Sequence, residues 1–281
     1  MTDFFKGRTL VIATRHGKEQ VMAPLLEESL GVVCIAPENL DTDRFGTFSG
    51  EKERVDDVVT TLRKKCKLAS EITGVGLAAA SEGSFGPHPM VFAAYADEEF
   101  VMLADFEKQI EIVESTVSFH TNFDGALIYS EDQLLAFARK IGFPSHGIIL
   151  KDTQHNWSKI IKENLTVEQL KENYLRIRNP DGVAYAETDM RAMRNPTRMK
   201  VIAEATKKLI EKIQSVCPVC GVPGFAVSEI VKGLPCELCN LPTRTALKHI
   251  YRCQKCGYES CKDYPAGKQF EDPQFCDFCN P

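Results

Sequence analysis

The chain has 281 residues, 43% hydrophobic and 26% charged, with a net charge of −5 at pH 7. That composition supplies a globular core and excludes a whole-protein attraction to nucleic acid or to an anionic membrane face. No apolar run approaches the ~18 residues of a membrane span, and the start lacks the basic and apolar stretches of a secretory signal, so a cytoplasmic location is expected.

Residues 9–13 form a short apolar run, β-branched at its centre, which predicts a buried strand. Val21, Leu25, Leu26 and Leu30 then fall at helical spacing as far as Gly31. A second strand is expected over 32–36, ending at Pro37, and a polar loop over 39–50. Val55, Val58, Val59, Leu62, Cys66 and Ile72 predict a long helix, and 76–80 a third strand running into a loop over 81–89. Strand and helix in this alternation are the pattern of a parallel sheet with crossover helices. Beyond Met90, 100–104 and 110–113 flank a polar turn as a hairpin would. A helix is expected over 131–141, and another from about 189 to about 214, interrupted near Pro196. The expected fold is α/β, a mostly parallel or mixed sheet with flanking helices over 1–212, followed by a small two-zinc module over 213–281.

The module rests on cysteines. Cys34 and Cys66 stand alone, whereas Cys217/Cys220, Cys236/Cys239, Cys253/Cys256 and Cys276/Cys279 are Cys-x-x-Cys pairs. Clustered pairs in a reducing compartment point to metal rather than to disulfides. Gly221, Asn240, Gly257 and Asn280 follow the pairs, where a metal knuckle bends with a positive φ that Gly allows and Asn tolerates. Two structural Zn2+ ions are expected, each closed by four thiolates with no open position for catalysis. Gaps of 15 residues between the first and second pairs and 19 between the third and fourth favour sequential pairing over an interleaved cross-brace. The Cys-Gln-Lys-Cys-Gly-Tyr stretch from Cys253 and the Cys-Asp-Phe-Cys stretch from Cys276 resemble the two knuckles of a rubredoxin-type ribbon. Cys261 has no partner at knuckle spacing and is left out of the ligand set. From Cys217 onward seven Lys/Arg balance seven Asp/Glu, and two tetrathiolate centres would each add about −2. The module is therefore expected to be structural or to contact a protein partner, and not to bind nucleic acid.

Ligands of open parallel sheets bind outside the carboxyl ends of the strands, and three polar loops should meet there. The first brings Arg15, His16 and Lys18 to a helix start, a ready anion site. The second carries Thr47, Ser49 and Glu51, and the third Ser81, Glu82, Ser84 and His88. The cations suit phosphate, while Glu51 and Glu82 suit acid/base work or Mg2+. Asp189, Arg191 and Arg198 form a further polar cluster; its arginines fit a bidentate phosphate clamp, and its acid equally fits a helix cap.

The Ala-Thr-Arg-His-Gly-Lys loop at 13–18, the Gly-Thr-Phe-Ser-Gly-Glu stretch at 46–51 and the Ala-Ala-Ser-Glu-Gly segment ending at Gly83 resemble nucleoside triphosphate pyrophosphatases of the inosine triphosphatase type. The resemblance implies a nucleotide-hydrolysing site built from these loops; the acidic pair usual after the third strand in those enzymes is Ser81-Glu82 here. Arg15-His16-Gly17 and Ser145-His146-Gly147 are similar to the two signature strings of histidine phosphatases, which implies His16 as nucleophile and Arg15 as phosphate ligand. Over its whole length the chain resembles a bacterial family of unknown function, which implies no activity. The favoured reading is hydrolysis or binding of a phosphorylated small molecule such as a nucleotide. The competing readings are a ligand-sensing adaptor whose zinc ribbon docks a protein partner, and a histidine-phosphatase-like phosphoesterase.

Overall fold

The computed structural model describes residues 3–46, 55–88, 90–91, 94–154 and 159–281. Two compact units account for most of the chain, Phe5–Leu209 and Ile210–Pro281.

In the first unit, β1 (Thr9–Ala13) lies between β2 (Val33–Ile35) and β3 (Leu77–Pro87), parallel to both. The crossovers are α1 (Glu19–Leu30) and α2 (Val58–Thr73), as the apolar spacing requires. The sheet then turns antiparallel through β4 (Tyr95–Asp105) and β5 (Ile110–Ser118), giving a mixed sheet in the order β2-β1-β3-β4-β5. Side chains alternate between the faces of a strand. Val11 and Ala13 of β1 accordingly join Ala78, Ala80, Met102 and the α2 residues Leu62, Cys66 and Ala69 in one buried cluster.

β3 departs from expectation. The polar stretch after Ala80 predicts a loop, yet residues 81–87 continue as strand, because β4 pairs with every one of them from Leu77↔Asp105 to Pro87↔Tyr95. Paired backbone groups have no need of apolar side chains, so Ser81, Glu82 and Ser84 are free to be polar.

A second sheet, unforeseen from the sequence, runs β6-β9-β7-β8, with β6 (Gly125–Ile128), β7 (Ile148–Lys151), β8 (Ile160–Ile161) and β9 (Ala184–Thr188) all antiparallel. Ile128, Ile148, Leu150, Ala184 and Ala186 bury one of its faces against α3 (Glu131–Ile141) and α4 (Val167–Ile177), through Leu134, Phe137, Leu170 and Tyr174. Both helices are capped at their starts, Ser130 accepting from Gln133 N and Thr166 from Gln169 N. The alternate residues Ile149, Tyr185 and Glu187 lie on the opposite face.

The last helix, α5, spans Pro196–Gln214, starting at the proline that interrupts the predicted pattern. In the C-terminal unit β10 (Ala226–Lys232), β11 (Ala246–Arg252) and β12 (Glu259–Asp263) form one antiparallel sheet in chain order. Among the described residues, no helix is long and apolar enough to cross a membrane.

Candidate functional site

β1 ends at Ala13, and the chain turns through Thr14–Gly17 into α1. Because Ala13 pairs with Ala80, the strand β3 outruns β1 and carries Ser81 and Glu82 past its carboxyl end. Lys18 folds back over this step, its Nζ donating to Ser81 O at 3.0 Å, and is itself buried. On the other side Lys65 reaches from α2 to an ion pair with Glu82, both side chains shielded. The result is a cavity of about 260 Å³ lined by Arg15, His16, Lys18, Lys65, Glu82, Lys162 and Arg191, with Asp43 at its edge.

The lining holds five basic side chains from four separate segments, and two acidic ones, Asp43 and Glu82, from two more. Burial, then the nearby Arg198, pulls the Lys18 amine down to about 7. Burial again, followed by the charges of Lys18 and Arg191, holds His16 down at about 3. Its imidazole is therefore neutral at neutral pH. Arg15 is steered by Asp41 and Asp43, each at 3.1 Å. Arg191 is held by Asp189 at 2.7 Å and by Glu163 at 3.3 Å.

Arg191 and Gly46 also line a second, larger lobe of about 480 Å³. Its floor is the face of the second sheet turned away from α3 and α4, with Gly125, Ile149, Tyr185 and Glu187, and its lining includes Ser84, Phe85, Tyr95, Phe123, Asp124 and Asp189. Lys151 pairs with Glu187 at 2.8 Å, yet burial keeps the Glu187 carboxyl above its usual range.

Of the residues singled out in the sequence, Arg15, His16, Lys18, Glu82 and Arg191 come together in the first lobe, and Ser84 and Asp189 line the second. Ser81 contributes its carbonyl to Lys18, while its buried hydroxyl has no partner among the described residues. His88 sits beyond the far end of β3 against the Phe119 ring, 5.1 Å away, and lines neither lobe. Arg198 is a core residue, paired with Glu99 at 2.5 Å. Thr47, Ser49 and Glu51 lie outside the described residues. His146 bonds Thr197 Oγ1 at 2.9 Å and is absent from the lining of both lobes, so the second histidine of the phosphatase likeness does not face His16 across either.

The sequence reading missed Lys65, Lys162, Tyr185 and Glu187. Lys65 did carry a signal: it falls on the buried stripe Thr61, Leu62, Cys66 and Ala69 of α2, where a lysine needs a reason. On β4, Asp97 is buried with no partner among the described residues for either carboxylate oxygen, and burial, then Glu99, raises it to about 8.

In the C-terminal unit, Cys217, Cys220, Cys253 and Cys256 converge in one group, and Cys236, Cys239, Cys276 and Cys279 in another. The pairing is thus interleaved, first with third and second with fourth, against the sequential expectation. The sheet explains it. Ala226 pairs with Arg252, so the knuckle before β10 meets the knuckle after β11, while the β10–β11 connection and the tail after β12 share the opposite end. Gap lengths along the chain are blind to that fold-back. All four knuckles close with one hydrogen bond: Gly221, Asn240, Gly257 and Asn280 donate to the carbonyls of Cys217, Cys236, Cys253 and Cys276 at 2.8, 2.9, 3.0 and 2.9 Å. Gly221, Asn240 and Gly257 have φ of 71°, 57° and 72°. Sγ atoms across the pairs stand 3.7 and 3.5 Å apart in one group and 3.8 and 3.7 Å in the other. A tetrahedron with metal–sulfur bonds of about 2.3 Å has edges of about 3.8 Å. The two groups could each hold a metal ion of zinc's size. Cys261 lies on β12 opposite Ile250 and belongs to neither group.

A family model described as a domain of unknown function, DUF6671, matches residues 65–281. The match takes in Lys65, Glu82, Arg191 and every grouped cysteine, and leaves the 13–18 loop outside it. No curated protein matches the chain.

Proposed function

The chain belongs to the DUF6671 family, and on that premise we propose that its α/β domain binds a phosphorylated small molecule in the first lobe and hydrolyses it. One observation carries this reading: five basic side chains from four segments surround a concave site at the carboxyl end of β1, beside the start of α1. Such a site favours anions through both the cations and the helix terminus. In the hydrolytic step Glu82 is the candidate general base for water, with Lys65 holding its carboxylate in place. His16, kept neutral, positions phosphate by a hydrogen bond. Mg2+ would be held by Glu82 and the ligand phosphates; among the described residues, no group of three acids offers it a site of its own.

The cysteine groups we assign to two structural Zn2+ ions, since four thiolates in a tetrahedron suit a borderline-soft ion without an open position. Eight reduced thiolates fit a cytoplasmic setting. A protein partner for this unit is the second reading, favoured by Leu238 and Phe278, 73% and 71% exposed at the tips of two knuckles. Nucleic acid is not a partner in either reading, because the unit's charge is balanced before its thiolates are counted.

A screen of nucleoside triphosphates and simple phosphate esters, with and without Mg2+, tests the proposal. Turnover supports the hydrolase. A ligand-induced thermal shift without turnover reduces it to a sensor, and silence in both assays removes it.

A further inference from the structure

We infer that the second lobe holds an aromatic base, so that the ligand of the cleft is a nucleotide whose base presents N–H donors, guanine-type before uracil-type; this rests on the phosphate reading of the first lobe. The two lobes share Gly46 and Arg191, so a single ligand can span them with its charged group and its remainder on opposite sides of Arg191. The lobes are opposite in character. The first is lined by five basic and two acidic side chains, the second by Asp124, Glu187 and Asp189 against Arg191 alone. A ligand that satisfies both has an anionic head and a donor-rich tail.

The shape of the tail follows from the walls. Phe85, Tyr95, Phe123 and Tyr185 all line the second lobe, with Phe123 stacked on Phe85 at 6.0 Å and tilted against Tyr95 at 5.6 Å. Flat aromatic surfaces select flat rings, and every base has a face to stack. A lobe of about 480 Å³ has room for a purine with its ribose.

The acids set the edge chemistry. Asp189 is committed to Arg191, and Asp124 to Lys140 at 2.5 Å and to the Gly125 amide at 2.9 Å. Glu187 gives Oε1 to Lys151, and an ionised carboxylate accepts up to about four hydrogen bonds while donating none. Guanine offers an imide N–H and an amino N–H side by side, which a carboxylate accepts as a pair. Uracil offers one N–H between two carbonyls, which a carboxylate repels.

Calorimetric titration of the full chain with GDP, UDP and inorganic pyrophosphate tests this. GDP should bind at least about tenfold tighter than UDP, and both tighter than pyrophosphate. Glu187→Gln should erase the preference for GDP while leaving pyrophosphate affinity unchanged. Because that change also releases Lys151, Tyr95→Leu at a half-exposed position gives a second reading: weaker GDP and UDP, unaltered pyrophosphate. Equal affinity for all three ligands would overturn the base site and leave the phosphate site standing. Failure of all three to bind would overturn both.

Discussion

Arg198 and Glu99 meet at 2.5 Å with both side chains fully shielded from water. The sequence suggested a ligand clamp shared by Arg191 and Arg198, but only Arg191 reaches the cleft. Arg198 lies in the first turn of α5, donates its backbone N–H to Asn195 Oδ1, and lays its guanidinium over the Phe85 ring at 5.0 Å. Removing one member of such a pair strands the other. Arg198→Met should cost about 3–5 kcal/mol in urea denaturation, and the double change Arg198→Met/Glu99→Met should recover most of it. A double variant as unstable as the single one would contradict the account.

Lys18 should make binding at the proposed phosphate site depend on pH. Its folded-state pKa of about 7 lies below the ordinary value of 10.5, so between those limits the unfolded chain holds the extra proton. The fold should gain stability from Lys18 as pH rises through that window, and ligand affinity should fall over the same window as the ammonium is lost. Pyrophosphate titrated at about pH 8 should therefore bind with proton uptake, visible as a heat that varies with the ionisation enthalpy of the buffer. Lys18→Met should abolish that variation.

Glu82→Gln looks harmless on paper, one atom exchanged at constant shape. In the fold it leaves the Lys65 ammonium without its counter-charge in a shielded place. Destabilisation of about 3 kcal/mol is expected, with partial rescue by Lys65→Met. Activity measurements on Glu82→Gln are meaningful only beside a melting curve.

The metal groups can be told apart by which pairs of cysteines fail together. Cys217→Ser/Cys253→Ser should retain one zinc equivalent by elemental analysis, since both changes strike one centre. Cys217→Ser/Cys236→Ser should retain none. The opposite pattern would restore sequential pairing.

The sequence was most readable where one periodicity ruled. Gly31 marked a helix end that the structure keeps, the helix expected over 131–141 stands at those bounds, and eight cysteines announced their own chemistry. It was least readable where the partner decided the outcome. Ser81–Pro87 looks like loop until β4 supplies its hydrogen bonds, and the four strands of the second sheet are short, from two to five residues, with bounds set by pairing rather than by composition. Local polarity identified Arg15, His16, Lys18 and Glu82, but a charged side chain on the buried face of a helix, such as Lys65, declares itself only once that face is known.

Interleaved pairing also changes what a cut in the backbone would do. A single break in β11 would leave Cys217, Cys220, Cys236 and Cys239 on one fragment and Cys253, Cys256, Cys276 and Cys279 on the other. Each centre draws two thiolates from each side of that break. With metal in place the nicked protein should migrate as one particle and come apart when a chelator is added, so that the ions act as the covalent link the chain has lost.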